Sequence, residues 1–248
     1  MKLKVSVIIP FYNNLSLLKK SIKSVLNQTF KSFEIIIIYD GGDKSNIKYL
    51  KNLNAKYSKI KIIYNKKNIG AGLSRNKGIK ISKGKYIAFL DSDDTWKKNK
   101  LSSQISLMEK SKYSATHTSF NIIDYEGNYL SKREANDLNY NKLLNSCDIG
   151  LSTVVLKKNI INKMNKPFPP LKTKEDYVLW LRLSKRGVIF YSLKKPLTNW
   201  KNTPNSLSKS VYQKLKDAIS VYKDYVKMSL SRSIIQTLIL STNFLIKK

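Results

Sequence analysis

The chain has 248 residues and a formal net charge of +31, because 47 lysine and arginine residues stand against 16 acidic ones. This length allows one large domain, or one domain with a small appendage. Cys147 is the single cysteine and His117 the single histidine, which excludes an intrachain disulfide, a four-cysteine zinc site and a metal site with two histidines. Both residues are expected to be structural.

The strong positive charge favours anionic partners, but it does not by itself indicate a nucleic-acid-binding protein. Only five of the basic residues are arginine, and the lysines are scattered along the whole chain. Proteins that read nucleic acid tend to use arginine, whose planar fork matches phosphate and guanine. We therefore expect no specific nucleic acid partner, and consider a membrane surface or a phosphorylated substrate instead.

The first half of the chain alternates short apolar runs with segments of helical spacing. This pattern predicts an α/β domain with a mainly parallel sheet. The predicted strands are 5–9, 34–40, 59–65 and 85–90, and the predicted helices are 15–27, 45–56 and 71–81. Ligands of such sheets bind beyond the carboxyl ends of the strands.

The second half is less regular. The pattern predicts helices at 98–110 and 174–187, strands at 116–124, 152–158 and 188–193, and a helical segment at 209–248. We expect one domain over 1–208, with a first half (1–97) and a second half (98–208), followed by a C-terminal helical extension (209–248).

The extension ends in apolar residues flanked by basic ones, which suits an interfacial helix on an anionic membrane surface. A helix packed on the core fits the same pattern. The sequence contains neither a signal peptide nor an uncharged apolar stretch of about 18 residues. A cytoplasmic protein is expected, with a peripheral position on the inner face of the cytoplasmic membrane as a further expectation.

Polar residues follow three of the predicted strands: Tyr12–Asn13, Asp40, and the acidic run that contains Asp91, Asp93 and Asp94. Carboxylates two positions apart in a turn can face one hard cation, and Mg²⁺ or Mn²⁺ is commonly held in this way together with phosphate oxygens. The alternative is a solvated acidic turn in which Asp94 caps the helix at 98–110. In either case Asp94 is expected to be a cap or a residue that supports Asp91 and Asp93 from behind.

Six motifs in this order resemble the inverting glycosyltransferase family 2, which has the GT-A fold, over about residues 4–195. They are VSVIIPFYN (5–13), LNQTF (26–30), EIIIIYDGG (34–42), NIGAGLSRNKGI (68–79), GKYIAFLDSDD (84–94) and KEDYVLWLRL (174–183). The resemblance implies a Rossmann-like, mainly parallel mixed sheet flanked by helices, with a nucleotide-sugar-binding half (1–97) and an acceptor-binding half (98–208). It also implies that Asp93 binds the metal at the donor diphosphate, and that Asp91 contacts the ribose or supports that metal.

The resemblance further implies a nucleoside pocket lined by Pro10, Tyr12 and Asn13, with Tyr12 against the base. Asp40 would accept a hydrogen bond from a uracil or thymine imide, and Arg75 would lie near the base or the diphosphate. Tyr12 as a packing residue, Asp40 as a turn former and Arg75 as a surface cap remain the alternatives. The chain departs from many relatives, which have two acids where it has Tyr39–Asp40.

By the same resemblance Asp176 is the catalytic base and Glu175 a support or an acceptor contact. Capping of the helix N-terminus is the alternative for this acidic pair. Trp180 is expected in the core or in the acceptor pocket wall. Lys201 is the nearest positive candidate for stabilising the leaving diphosphate, in a predicted loop at 199–209.

Together these features predict a metal-dependent enzyme that uses Mn²⁺ or Mg²⁺. It would transfer a hexosyl or N-acetylhexosaminyl group from a UDP- or dTDP-sugar to a hydroxyl of a surface glycan or a lipid-linked saccharide. The alternatives are a nucleotidyltransferase, for which no glycine-rich phosphate loop follows the first strand, a basic nucleic-acid-binding protein, and a non-catalytic nucleotide-binding relative.

Overall fold

The computed structural model describes residues 4–203 and 210–246. The predicted domain boundary at 208/209 therefore falls outside the described residues. The elements follow the expected alternation of strands and helices through the first half of the chain, and the α/β prediction is confirmed.

The strands form one twisted mixed sheet. Its order is β3-β2-β1-β4-β8-β6-β9-β5, with β7 paired to the outer part of β6. The strands are β1 Val5–Phe11, β2 Phe33–Tyr39, β3 Ile60–Tyr64, β4 Tyr86–Phe89, β5 Thr95–Trp96, β6 Ala115–Ile123, β7 Tyr129–Arg133, β8 Val155–Lys157 and β9 Phe190–Lys201.

The first four neighbours in the sheet are parallel, so the carboxyl ends of β3, β2, β1 and β4 lie at one edge. Strand β8 is antiparallel to both β4 and β6, whereas β6 and β9 are parallel to each other. Every residue of β1, β2 and β4 is buried, which explains why these strands read as continuous apolar runs.

Eight α-helices accompany the sheet in the described residues. They are α1 Leu15–Leu26, α2 Asn46–Lys56, α3 Ala71–Ile81, α4 Lys100–Lys110, α5 Tyr140–Asn145, α6 Glu175–Lys185, α7 Val211–Ser220 and α8 Leu230–Ile246. Helix α3 packs tightly on the sheet at Gly78, where an added Cβ would lie 2.6 Å from Ile8 Cγ2. Two apolar clusters, one on each side of the sheet, form the core.

Four elements differ from the prediction. Strand β9 continues to Lys201, so the loop predicted at 199–209 begins three residues later than expected. The strand β5 and the hairpin strand β7 were not predicted, and neither was the short helix α5. A turn of π-helix, Val221–Val226, joins α7 to the final connection before α8.

No helix in the described ranges is both long enough and apolar enough to cross a membrane.

Candidate functional site

The loops after β1 and β2 meet at the carboxyl edge of the sheet. A Cβ on Gly42 would lie 1.7 Å from the Tyr12 carbonyl oxygen, so only glycine allows this approach. The Asn13 side chain accepts a hydrogen bond from the Asp43 N–H (3.0 Å). The Tyr12 side chain is 48% exposed, which argues against a packing role, whereas Pro10 is buried within β1.

Asp40 is buried at the end of β2 and holds the turn that leads into α3. Its carboxylate accepts hydrogen bonds from Asn65 Nδ2 (2.7 Å), the Ile69 N–H (3.0 Å) and the Gly70 N–H (2.9 Å). These hydrogen bonds show that the Asp40 side chain stabilises the turn before α3. The alternative role, forming the turn at Gly41, does not account for them. The contact of Asp40 with a nucleobase stays a prediction.

Arg75 joins the two halves of the protein. Its buried guanidinium donates to Asp91 Oδ1 (2.6 Å) and to Glu175 Oε1 (2.7 Å), and it lies over the Phe168 ring. Burial opposes the positive charge, but the two carboxylates outweigh it and raise the pKa of Arg75. The alternative of a surface cap is wrong, since only 3% of Arg75 is exposed.

Asp91 and Asp93 lie in the turn after β4. The Asp91 side chain is 32% exposed, and Ser21 Oγ and Ser152 Oγ contact its backbone. Burial and the nearby charge of Asp91 raise the pKa of Asp93 to about 6. These two carboxylates repel each other, which is the state that a divalent cation would relieve.

Asp94 does not cap a helix, and that alternative is wrong. Helix α4 begins at Lys100, while Asp94 is buried and accepts hydrogen bonds from Ser152 Oγ (2.5 Å) and the Lys201 N–H (2.9 Å). Burial raises its pKa well above the usual range. The Ser152 hydroxyl also accepts a hydrogen bond from the Asp91 N–H (3.0 Å). These buried hydrogen bonds together hold the acidic turn in place.

Glu175 and Asp176 open α6 beside this cluster. Burial and the charge of Glu175 raise the pKa of Asp176 to about 7, against the lowering effect of Arg75. Asp176 accepts the Tyr177 N–H (2.7 Å) from within the first turn, whereas the N-cap of α6 is Lys174, whose side chain makes no capping hydrogen bond. A Cβ on Gly72 in α3 would lie 2.8 Å from Glu175 Cγ, so α3 closes directly onto this pair.

The C-terminal segment supports the start of α6, a role that sequence reasoning missed. Asp217 in α7 accepts hydrogen bonds from the Thr173 N–H (2.9 Å) and hydroxyl (2.8 Å). Tyr222 Oη lies 2.9 Å from Tyr177 Oη. The sequence offered only an acidic residue and a tyrosine in an amphipathic segment. This pattern does not indicate which residues they contact.

The remaining predicted residues have structural surroundings. His117 is buried with Nε2 2.9 Å from the Asn136 carbonyl oxygen, and half-buried Cys147 packs against the core, as expected. Trp180 lies in the core. The Lys201 ammonium donates to the carbonyl oxygens of Asp124 (3.1 Å) and Tyr125 (2.9 Å).

The acidic turn suits a metal ion for which the protein supplies only part of the ligand set. Within residues 4–203 and 210–246, no group of three or more His, Cys, Asp or Glu side chains could hold a metal ion. Mg²⁺ usually keeps waters and binds through one or two carboxylates plus substrate phosphates. Asp91 and Asp93 fit that mode of binding.

A mixed, mainly parallel sheet flanked by helices is the GT-A fold of glycosyltransferases. The model of the family "Glycosyl transferase family 2" matches residues 6–165. The chain belongs to glycosyltransferase family 2.

Two curated relatives are named for the same activity. WfgD of Escherichia coli, a UDP-Glc:alpha-D-GlcNAc-diphosphoundecaprenol beta-1,3-glucosyltransferase, is 35% identical over 232 residues, which cover 92% of this chain and 88% of WfgD. WfaP of Escherichia coli bears the same activity name and is 36% identical over 187 residues, covering 74% of this chain and 71% of WfaP.

Solved structures share the fold at low identity. Staphylococcus aureus TarS 1–349 in complex with UDP-GlcNAc has a TM-score of 0.72 at 16% identity, covering 95% of this chain and 72% of that one. The mannosyltransferase PcManGT from Pyrobaculum calidifontis, in complex with GDP-Man and Mn²⁺, has a TM-score of 0.65 at 11% identity, covering 96% and 70%. These likenesses establish the fold alone.

Proposed function

We propose that this glycosyltransferase inverts the anomeric centre as it transfers a hexosyl or N-acetylhexosaminyl group from a UDP-sugar to a hydroxyl of a lipid-linked saccharide. The observation that carries the proposal is the double ion pair of Arg75. It connects Asp91, in the predicted diphosphate-binding turn, to Glu175, the neighbour of Asp176. Donor and acceptor chemistry are thereby brought to one cluster.

In this proposal Asp176 accepts the proton of the acceptor hydroxyl as its oxygen attacks the anomeric carbon. A base with a pKa near 7 is well matched to this task, and burial beside Glu175 gives Asp176 such a value. The ion pair with Arg75 keeps the Glu175 side chain from rotating away. In this orientation Glu175 can contact the acceptor and orient it.

Asp91 and Asp93 would hold Mn²⁺ or Mg²⁺. The metal, when bound, supplies Lewis-acid stabilisation of the leaving diphosphate. Asp94 and Ser152 keep the turn in position through the buried network described above. Tyr12, Asn13, Pro10 and Asp40 are proposed to form the nucleoside side of the site, because the loops after β1 and β2 converge there.

The names of the relatives support the substrate class. WfgD and WfaP are named for a UDP-glucose donor and a diphosphoundecaprenol-linked GlcNAc acceptor. UDP is therefore preferred over dTDP as the carrier. An acceptor of this kind is membrane-bound, which supports a peripheral location on the inner face of the cytoplasmic membrane.

A thermal-shift panel of nucleotide sugars with Mn²⁺ tests the donor. A UDP-sugar at about 100 times its Kd should stabilise the folded protein by about 2.7 kcal/mol. Stabilisation by arbitrary DNA or RNA, and by no nucleotide sugar, would contradict the proposal.

Variants at the two acidic positions test the mechanism. Asp93→Ala should lose both the Mn²⁺-dependent donor stabilisation and transfer. Asp176→Ala should retain donor stabilisation and lose about 10²- to 10⁴-fold in transfer rate. Unchanged turnover of the Asp176 variant would remove the assignment of the base.

A further inference from the structure

Helix α8 packs on the protein with its polar side. Ser233 and Thr237 are buried, and their hydroxyls donate to carbonyl oxygens four residues earlier in the chain (both 2.8 Å). Gln236 Nε2 donates to the Leu144 carbonyl oxygen (3.0 Å), and Asn243 Nδ2 to that of Asn145 (2.9 Å). The inward side of α8 is thus mostly polar, and it is held on the protein by the hydrogen bonds of Gln236 and Asn243 together with the buried side chain of Leu240.

The opposite side of α8 is aliphatic and exposed. We call its seven leucine and isoleucine residues, which are 37–81% exposed, the aliphatic face: Leu230, Ile234, Ile235, Leu238, Ile239, Leu245 and Ile246. At about 100° per residue they fall on roughly half of the helix circumference. This polarity is the reverse of a helix that packs its apolar side on the core. Water is an unfavourable environment for such a face.

The charges around the aliphatic face are of one sign. Residues 227–248 contain four basic side chains and no acidic one. Arg232 lies at the border of the face by the same helical spacing, and Lys227 precedes the helix. An apolar face with a basic border matches the chemistry of an anionic lipid surface.

We propose that the aliphatic face of α8 docks on an anionic lipid bilayer, lying in the plane of the interface. A second copy of the chain is the competing occupant, but it would bring the same basic border and the same net charge of +31 against the first. The lipid surface covers the apolar area and neutralises the border, whereas a symmetric dimer covers only the area.

This inference deepens the proposed function, on which it rests for its purpose: a lipid-linked acceptor lies at the surface where α8 would dock. The path from α8 to the site is short. Gln236 and Tyr222 both donate to the Leu144 carbonyl oxygen, and Tyr222 contacts Tyr177 in α6. Docking through α8 would therefore place the start of α6 close to the bilayer.

Vesicle co-sedimentation of the full chain tests the proposal. The protein should bind vesicles of phosphatidylcholine with phosphatidylglycerol, bind vesicles of phosphatidylcholine alone more weakly, and lose part of its affinity in high salt. The double variant Ile235→Gln with Leu238→Gln should bind the phosphatidylglycerol-containing vesicles at least roughly tenfold more weakly than the parent protein. Ile81→Gln changes an exposed isoleucine of α3 and should bind like the parent protein.

Each remaining outcome has a fixed meaning. Donor stabilisation by UDP-sugar should be the same in the double variant, so a loss of vesicle binding with donor binding intact supports docking and leaves the proposed function untouched. Equal vesicle binding by parent and double variant would overturn the inference. So would a lipid-free dimer, measured by sedimentation velocity, that the double variant converts to monomer.

Discussion

Asp176 sets the pH dependence expected at the scale of single residues. Its pKa is raised from the usual 3.8 to about 7, so below that pH the carboxyl is protonated and cannot accept a proton. We expect kcat/KM to fall about tenfold for each pH unit below about 6, and to level off above 8. Initial rates between pH 5 and 9 measure this limb, and Asp176→Asn should remove it along with most of the activity.

Arg75 provides the comparison for that pH profile, because its charge lowers the pKa of Asp176. In Arg75→Met the carboxylates at Asp91 and Glu175 lose their partner, and the acidic limb should move to higher pH. Arg75→Lys keeps the charge but not the two-pronged geometry, so its limb should stay closer to that of the parent. An identical limb in all three proteins would show that Arg75 does not act on the base.

The residues of the site were predictable only where a short motif carried them. Asp91 and Asp93 stand in one turn, and the structure brings Glu175 to the same cluster through Arg75. The cap interpretation of Asp94 was wrong, and its supporting role could not be located from the sequence, because its partners, Ser152 and Lys201, are 58 and 107 residues away. Nothing in the local pattern distinguishes a buried scaffold carboxylate from a cap.

At the scale of elements, α7 and the π-helical turn act as a brace for the start of α6. Asp217 accepts both Thr173 donors, and Thr173 lies three residues before Asp176. Asp217→Asn weakens this acceptor, so the start of α6 should become less well placed. We expect kcat to fall several-fold while the Kd for UDP-sugar is unchanged, since the proposed nucleoside residues follow β1 and β2.

Asp224→Asn is the matched control for this brace, because Asp224 lies in the same segment, is exposed and contacts Ser220 Oγ. It should leave kcat unaltered.

Asp217→Ala should also lower the free energy of unfolding by about 1–3 kcal/mol, because the buried donors of Thr173 lose their acceptor. If Asp217→Asn weakened donor binding and kcat equally, its role would be general stability and not placement of α6.

The elements themselves were predictable in proportion to their burial and length. The buried strands β1, β2 and β4 gave continuous apolar runs that fixed their positions within a few residues. Strand β5 has only two residues, and β7 is mostly exposed, so neither has an apolar pattern to detect. Strand β9 extends past Pro196 because it pairs with β6 through register shifts, which sequence periodicity does not encode.

At the scale of the whole molecule, the donor and acceptor halves are one folded unit. Strand β4 pairs with β8 across the boundary between them. Asn76 in α3 and Phe168 exchange two hydrogen bonds, of 2.7 and 3.0 Å, and Trp96 Nε1 donates to the Ser152 carbonyl oxygen (2.7 Å). The division into halves therefore describes proposed roles and not independent folding.

A continuous sheet of this kind should unfold cooperatively, because neither half can lose its strands without exposing the core of the other. Trp96 and Trp180 lie in the two core clusters on opposite sides of the sheet, and each reports on its own side. In urea, Trp96 fluorescence (in Trp180→Phe with Trp200→Phe) should give the same midpoint as far-ultraviolet circular dichroism of that variant. Trp180 fluorescence (in Trp96→Phe with Trp200→Phe) should do the same. Separate midpoints for fluorescence and dichroism in either variant would mean that the two sides of the sheet unfold independently and that the protein is not one cooperative unit.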